Sequence, residues 1–191
     1  MATTTLTRPI PGYVEGTWAL DPSHSIVGFS ARHLMVSKVR GHFSRFEGTI
    51  RTGADPLASS VDVTVDLTSI ETGDAGRDEH LRSTDFFGVE EHPTMTYRST
   101  GVRAEGDGFV VDGELTLHGV TRPLSLEAEL NGFQAGTPFG DTRVGFSARG
   151  TLDRRDFGIA FNIPLEGGGV VVGERVQLEL EAEAILEAPA A

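Results

Sequence analysis

The sequence predicts an all-β protein, a closed antiparallel barrel or a two-sheet sandwich of eight or nine strands. Three observations carry this: four stretches alternate between apolar and polar side chains, turn-forming clusters separate them, and one face of the alternation is acidic. The stretches are SVDVTVDL (60–67), FVVDGELTL (109–117), LSLEAEL (124–130) and VQLELEAEAIL (176–186). A period of two puts successive side chains on opposite faces, so each is a half-buried strand. Val61, Val63, Val65 and Leu67 share a face, as do Leu115 and Leu117, then Leu124, Leu126, Ala128 and Leu130, then Val176, Leu178, Leu180 and Ala182. The opposite faces carry Asp62, Asp66, Asp112, Glu114, Glu127, Glu129, Glu179, Glu181 and Glu183. An open sheet of this kind leaves an edge or an apolar face in water, which closure or a second sheet removes.

Five further strands are expected near Gly16–Leu20, His24–Lys38, Phe43–Arg51, Thr94–Val102 and Arg143–Leu152, with GADP, EGDG, HGVTRP and NGFQAGTPFGD as breakers. Neighbours joined by such turns pair antiparallel. Gly28, Gly48, Gly113 and Gly145 fall inside strand patterns, where a curving sheet needs kinks or close approaches. One stretch breaks the alternation. From Asp74 to Thr84 the spacing predicts a short helix, with Asp74 as N-cap and Asp78 and Arg82 as an i,i+4 pair. Only Leu81 is apolar within 77–84, so this helix cannot bury a broad stripe; it is expected across one end of the barrel, anchored by Leu81, Phe86 and Phe87.

The chain of 191 residues fits one domain, read as 16–188 between a flexible N-terminal tail (1–15) and a short C-terminal tail (189–191). A formal net charge of −12 and a pI near 4.8 disfavour nucleic acid and anionic lipid headgroups as non-specific partners. No apolar run reaches the roughly 18 residues of a membrane span, and the N-terminus shows no signal-peptide core, so a cytoplasmic location is expected. The absence of cysteine removes disulfides, thiolate metal sites and cysteine nucleophiles.

The letters RDEHLRSTDFF (77–87) invite a catalytic reading that helical spacing dismantles. Asp78 and His80 stand two apart and point about 200° from each other, so the carboxylate cannot orient the imidazole for Ser83. The GxSxG elbow is absent, and no pair of histidines has the i,i+4 spacing of a helical zinc site. Glu90 and His92 read as a solvated turn before Pro93, and His24, His42 and His118 stand one per segment. The GGG at 167–169 lacks the lysine of a phosphate loop and reads as a flexible connection into the last strand. No catalytic residue, metal or cofactor is assigned.

An eight-stranded barrel is either just filled by side chains or holds one small ligand. Eleven phenylalanines against two tyrosines and one tryptophan suit an apolar interior with few hydroxyls to satisfy. In HSIVGFSARHLMVSKVRGHFSRFEGTI (24–50) one parity gives Val27, Phe29, Ala31, His33 and Met35, apolar except for His33, and this face is read inward.

Six segments then resemble the YceI-like family in order and spacing. They are HSIVGFSARHLMVSKVRGHFSRFEG, SIETGDAGRDEHLRSTDFF, HPTMTYRST, GELTLHGVTRPLSL, RVGFSARGTLDRRDFGI and VGERVQLELEAE, within Trp18 to about Glu183. The resemblance implies an eight-stranded antiparallel lipocalin-like barrel with a short helical segment near one end and a long apolar tunnel. It implies a non-enzymatic carrier of a polyisoprenoid, an isoprenoid quinone or a fatty amide, and a homodimer is common among relatives. Many relatives are exported. Carried onto this sequence, the tunnel is lined by Val27, Phe29, Ala31, His33, Phe43, Phe46, Met95, Tyr97, Leu115, Leu117, Leu126 and Phe146, with His80, Leu81, Phe86 and Phe87 around the helical segment. His33, Arg77, His80 and Arg82 are the candidates for contact with a polar headgroup. Two other readings stand beside the carrier: an enzyme acting on a lipid headgroup or quinone through His33 or His80, and a filled barrel acting as a stress-related interaction module.

Overall fold

Eleven strand segments form one antiparallel sheet that closes on itself in a computed structural model describing residues 9–166 and 168–188. They are β1 (Gly16–Leu20), β2 (Ile26–His33), β3 (Ser37–Phe43), β4 (Phe46–Thr52), β5 (Ser60–Asp66), β6 (Ile70–Glu71), β7 (Thr94–Glu105), β8 (Gly108–Leu117), β9 (Val120–Gln134), β10 (Arg143–Asp153) and β11 (Val172–Leu186). The single α-helix among the described residues, α1, spans Ala75–Arg82.

Eleven segments make eight staves, because three staves are broken. β1 and β2 lie end to end along β11, β3 and β4 along their partners, and β5 and β6 likewise. Sequential staves pair antiparallel around the ring, and β1 pairs with β11 to close it. Closure leaves no long unpaired edge, as the one-sided alternation demanded. A register shift lies between Gly145 and Phe146, at one of the glycines singled out for a kink, and another between Ser99 and Gly101.

The sequence read 24–38 as one strand, and here the structure differs. The chain reverses at Leu34 and Met35, whose φ values of 50° and 60° are left-handed, and Val36 N–H donates to His33 C=O at 3.1 Å. Such turns are ordinarily signalled by Asn or Gly, and this one is made of two large apolar residues. Met35 is therefore an exposed turn residue and not an inward one.

The helical segment closes one end of the barrel. Asp74 caps α1 by accepting from Arg77 N–H at 2.8 Å, as its position predicted. Asp78 and Arg82 do not pair with each other. Asp78 accepts from Thr72 N–H at 2.9 Å and from the Thr72 hydroxyl, while Arg82 donates to the carbonyls of Thr68 and Ile70, both at 2.9 Å. Buried carbonyls near β6 need donors more than the exposed helix needs an ion pair. No helix among the described residues is long and apolar enough to cross a membrane.

Two hydrophobic clusters fill the interior. The larger lies towards the helical end and contains Phe43, Phe46, Leu67, Ile70, Phe86, Leu115, Leu117, Phe157 and Ile159. The smaller, of Trp18, Val144 and Ala184, lies towards the other end, where Phe133 and Val14 pack on it.

Candidate ligand-binding cavity

Between these clusters the alternating strands enclose an apolar cavity of about 250 Å³. Val61, Val63 and Val65 of β5, Val111 and Leu115 of β8, Leu124, Leu126 and Ala128 of β9, and Leu178 and Leu180 of β11 form much of its wall. All of these lie on faces that the period-two pattern had marked as apolar or continue them. Space is left where the residues are small: Ala148 stands directly opposite Ala128 in the β9–β10 ladder.

The wall continues to Ile10, Tyr13, Pro56 and Ser59 at the rim away from the helix. Tyr13 packs edge-on against Phe133, with ring centroids 5.5 Å apart, and its hydroxyl donates to Gly53 C=O at 2.7 Å. Ordered packing thus begins ahead of β1, within the segment expected as a tail; residues 1–8 and 189–191 and Gly167 lie outside the described residues.

Most polar groups along the wall, the Ser59 and Ser60 hydroxyls excepted, are occupied by the protein itself. Tyr97 lies across Gly113, where a Cβ would come within 2.5 Å of the phenol ring. Its hydroxyl donates towards Val111 C=O at 2.9 Å and Leu124 C=O at 3.2 Å. Burial, and then the charge of Asp112, push this phenol up to about 12. The Thr52 hydroxyl donates to Val14 C=O at 2.8 Å and accepts from Trp18 Nε1–H at 2.8 Å. The Ser25 hydroxyl bonds the backbone of Glu183, and the Glu181 carboxylate accepts from Ser147. What these groups leave facing the cavity is hydrocarbon.

Of the residues carried over as tunnel contacts, Val27, Phe46, Met95, Tyr97, Leu115, Leu126 and Phe146 line the cavity. The others do not. Phe29 folds over Gly41, whose Cβ would meet its ring at 2.5 Å, and packs against Phe43 at 5.7 Å; Phe43 in turn meets Phe87 at 6.0 Å. Leu117 and Phe86 are buried in the helical-end cluster and Leu81 packs on it. Ala31 and His33 belong to the hairpin beyond this plug, with His33 at the end of β2. The cavity is therefore blind at the helical end.

His80 faces solvent at the helical end: it is exposed, contacts Asp85 at 2.9 Å, and meets Phe86 and Phe161 edge-on at 5.1 and 5.0 Å. The Ser83 hydroxyl donates to His80 C=O, so the triad letters are spent on local structure. Arg77 donates to the Thr72 hydroxyl and carbonyl. With Arg82 it secures the helix, and neither reaches the cavity. Sequence reasoning also missed Arg154; it is buried, and donates to the carbonyls of Ile159 (2.7 Å), Gly173 (3.1 Å) and Val172 (3.3 Å).

Outside the cavity wall, Arg143 bridges Asp21 at 2.8 Å, Asp141 at 2.9 Å and Glu183. Asp21, His24 and Glu183 have ligand atoms within 4.8 Å of one another, but the guanidinium already supplies the cation there. Hydrogen bonds from the Ser23 hydroxyl, then from His24 and Arg143, hold the Asp21 carboxyl well below its ordinary range. The cluster stitches the break between β1 and β2 to β10 and β11.

Fold and cavity together define a lipocalin-like class, a closed up-and-down barrel with an apolar lumen. The model of the YceI-like domain matches residues 18–184, and the chain belongs to the YceI-like family. It is 43% identical over 137 residues to Protein YceI of Escherichia coli O157:H7, covering 71% of each chain. The crystal structure of a Campylobacter jejuni YCEI protein superposes with a TM-score of 0.67 at 26% identity, covering 98% of this chain and 100% of that one. A polyisoprenoid-binding domain from Saccharophagus degradans shares the fold at 16% identity, with a TM-score of 0.66 over 91% of this chain and 100% of that one.

Proposed function

We propose that the protein binds one long, uncharged apolar molecule in this lumen, tail first, with no chemistry performed on it. The observation that carries the reading is a cavity of about 250 Å³ whose wall is hydrocarbon apart from a few polar side chains, with Tyr97 and Thr52 among those bonded to the protein itself. Water is a poor occupant, because each molecule needs two to four polar partners. A hydrocarbon chain contributes roughly 0.8 kcal/mol per buried CH₂ and requires only a continuous apolar wall.

Membership of the YceI-like family supports a binder over an enzyme, and so does the placement of the histidines, since neither His33 nor His80 lines the cavity. The Saccharophagus domain shares only the fold, and the apolar lumen suits an isoprenoid tail without selecting it. A saturated fatty chain meets the same wall equally well. Extraction of the purified protein with organic solvent, followed by mass spectrometry, is expected to recover a long-chain apolar compound. Recovery of none, together with failure of isoprenoid alcohols to displace a fluorescent apolar probe, contradicts the reading.

A further inference from the structure

We propose that the tip of the β2–β3 hairpin, with the loop beside it, is a docking surface for an anionic lipid bilayer. Six large hydrophobic residues are exposed among the described ones, and four belong to this tip: Leu34, Met35, Val36 (82% exposed) and Ile163. Backbone hydrogen bonds hold them together. Leu34 N–H donates to Val171 C=O at 2.8 Å, and Val171 N–H donates to Ile163 C=O at 3.1 Å.

The turn keeps its apolar residues against local preference. Leu34 and Met35 both occupy left-handed backbone, which Asn and Gly adopt at far lower cost. A turn selected only to reverse the chain has better residues available, so the exposed Leu-Met pair points to something that contacts it.

The charge around the tip is mainly positive, with the exposed Glu166 of the adjoining loop set against four cations. Arg45, Arg51, Arg98, Arg103, Arg143 and Arg155 all pair with carboxylates. Among the described residues, Arg32, Lys38, Arg40 and Arg175, exposed on the outer face of β2, β3 and the adjoining start of β11, reach none, and neither do Arg122 of β9 and Arg149 of β10. Lys38 donates to Gln177 at 2.6 Å and Arg32 to Met35 C=O at 3.5 Å. Glu174 beside them is taken by Arg155 at 2.8 Å, and the next carboxylate along that face of β11 is Glu179, opposite Gly28. Among the described residues, an acidic chain of net charge −12 thus gathers four of its six exposed cations that lack a carboxylate partner around a cluster of exposed apolar side chains.

Apolar tip and basic collar match the two layers of an anionic membrane surface. The side chains enter the acyl boundary while Arg and Lys stems reach up to lipid phosphates. The acidic remainder is repelled, which sets the orientation. A second copy seated on the same patch would bring two cationic collars together, and four side chains fall far short of the roughly 20–30 residues per side of a stable protein interface. Docked this way, the molecule holds the cavity rim, at the opposite end of the barrel, away from the membrane.

Co-sedimentation of the full chain with vesicles tests this. Binding is expected to phosphatidylcholine vesicles containing about a third phosphatidylglycerol, absent with phosphatidylcholine alone, and lost as NaCl rises from about 50 to about 500 mM. Replacing the turn by Leu34→Asn with Met35→Gly gives a backbone-compatible turn, so the thermal midpoint is held or raised while binding weakens. Lys38→Gln with Arg40→Gln is expected to weaken binding by at least about tenfold. The proposal is overturned if the wild type ignores anionic vesicles, if either double variant binds as the wild type does, or if the turn variant dissolves a dimer in place of a vesicle complex.

Discussion

The two halves of the barrel use the same alternating strands to opposite ends. Under the helix, Phe43, Phe86, Leu117 and Phe157 meet Phe29 and Phe87 and leave no space. Towards the other rim the inward positions are valines and alanines, Val61, Val63, Val111, Ala128 and Ala148, and the staves stand apart around a cavity. Side-chain volume, not strand count or closure, decides which half is core and which is lumen. Stability is placed differently as well. The filled half relies on buried aromatic rings, whereas the hollow half is held by the Trp18 cluster within and the Arg143 seam outside.

The contrast breaks most visibly under matched truncations. Phe43→Ala, in the filled half, is expected to cost about 3–5 kcal/mol in denaturant unfolding, while Phe146→Ala, which already borders the cavity, costs less than about half of that. Equal losses would mean that both halves are packed alike. Enlargement reverses the order: Leu117→Phe is expected to destabilise by about 1–3 kcal/mol, and Ala148→Phe by under about 1 kcal/mol because its ring enters existing space. Tyr97→Phe removes a hydroxyl from two carbonyls and is expected to cost roughly 1 kcal/mol.

Acid should act on the seam and not on the aromatic plug. The Asp21 carboxyl is held below its ordinary 3.8, so the folded state binds fewer protons there than the unfolded one. Its contribution is full above that value and fades as pH falls below it. Thermal melts from about pH 5 to about pH 2 are expected to fall more steeply for the wild type than for Asp21→Asn. Parallel curves would remove Asp21 from the account.

Much of this was legible beforehand, residue by residue. Alternation placed Val61 to Val65, Leu115, Leu126 and Leu180 inward, and the wall is made of such residues. Asp74 announced the helix start because a cap needs only a short-range hydrogen bond. The turn at Leu34 and Met35 was not legible, since nothing in two apolar side chains signals left-handed backbone. The plug was hidden too: parity says that Phe29 points inward, but whether its ring enters the lumen or folds over Gly41 depends on a neighbouring strand. Arg154 escaped for a similar reason, because two of the three carbonyls that hold it, those of Val172 and Gly173, come from the distant start of β11.

The most direct test of the central claim is a titration of a fluorescent apolar probe against the wild type and Ala148→Phe, with the thermal midpoint of each measured in parallel. The account predicts saturable binding by the wild type and at least roughly tenfold weaker binding by a stably folded Ala148→Phe, since the ring displaces several methylene-sized units of space. Unchanged probe affinity in the folded variant would contradict it.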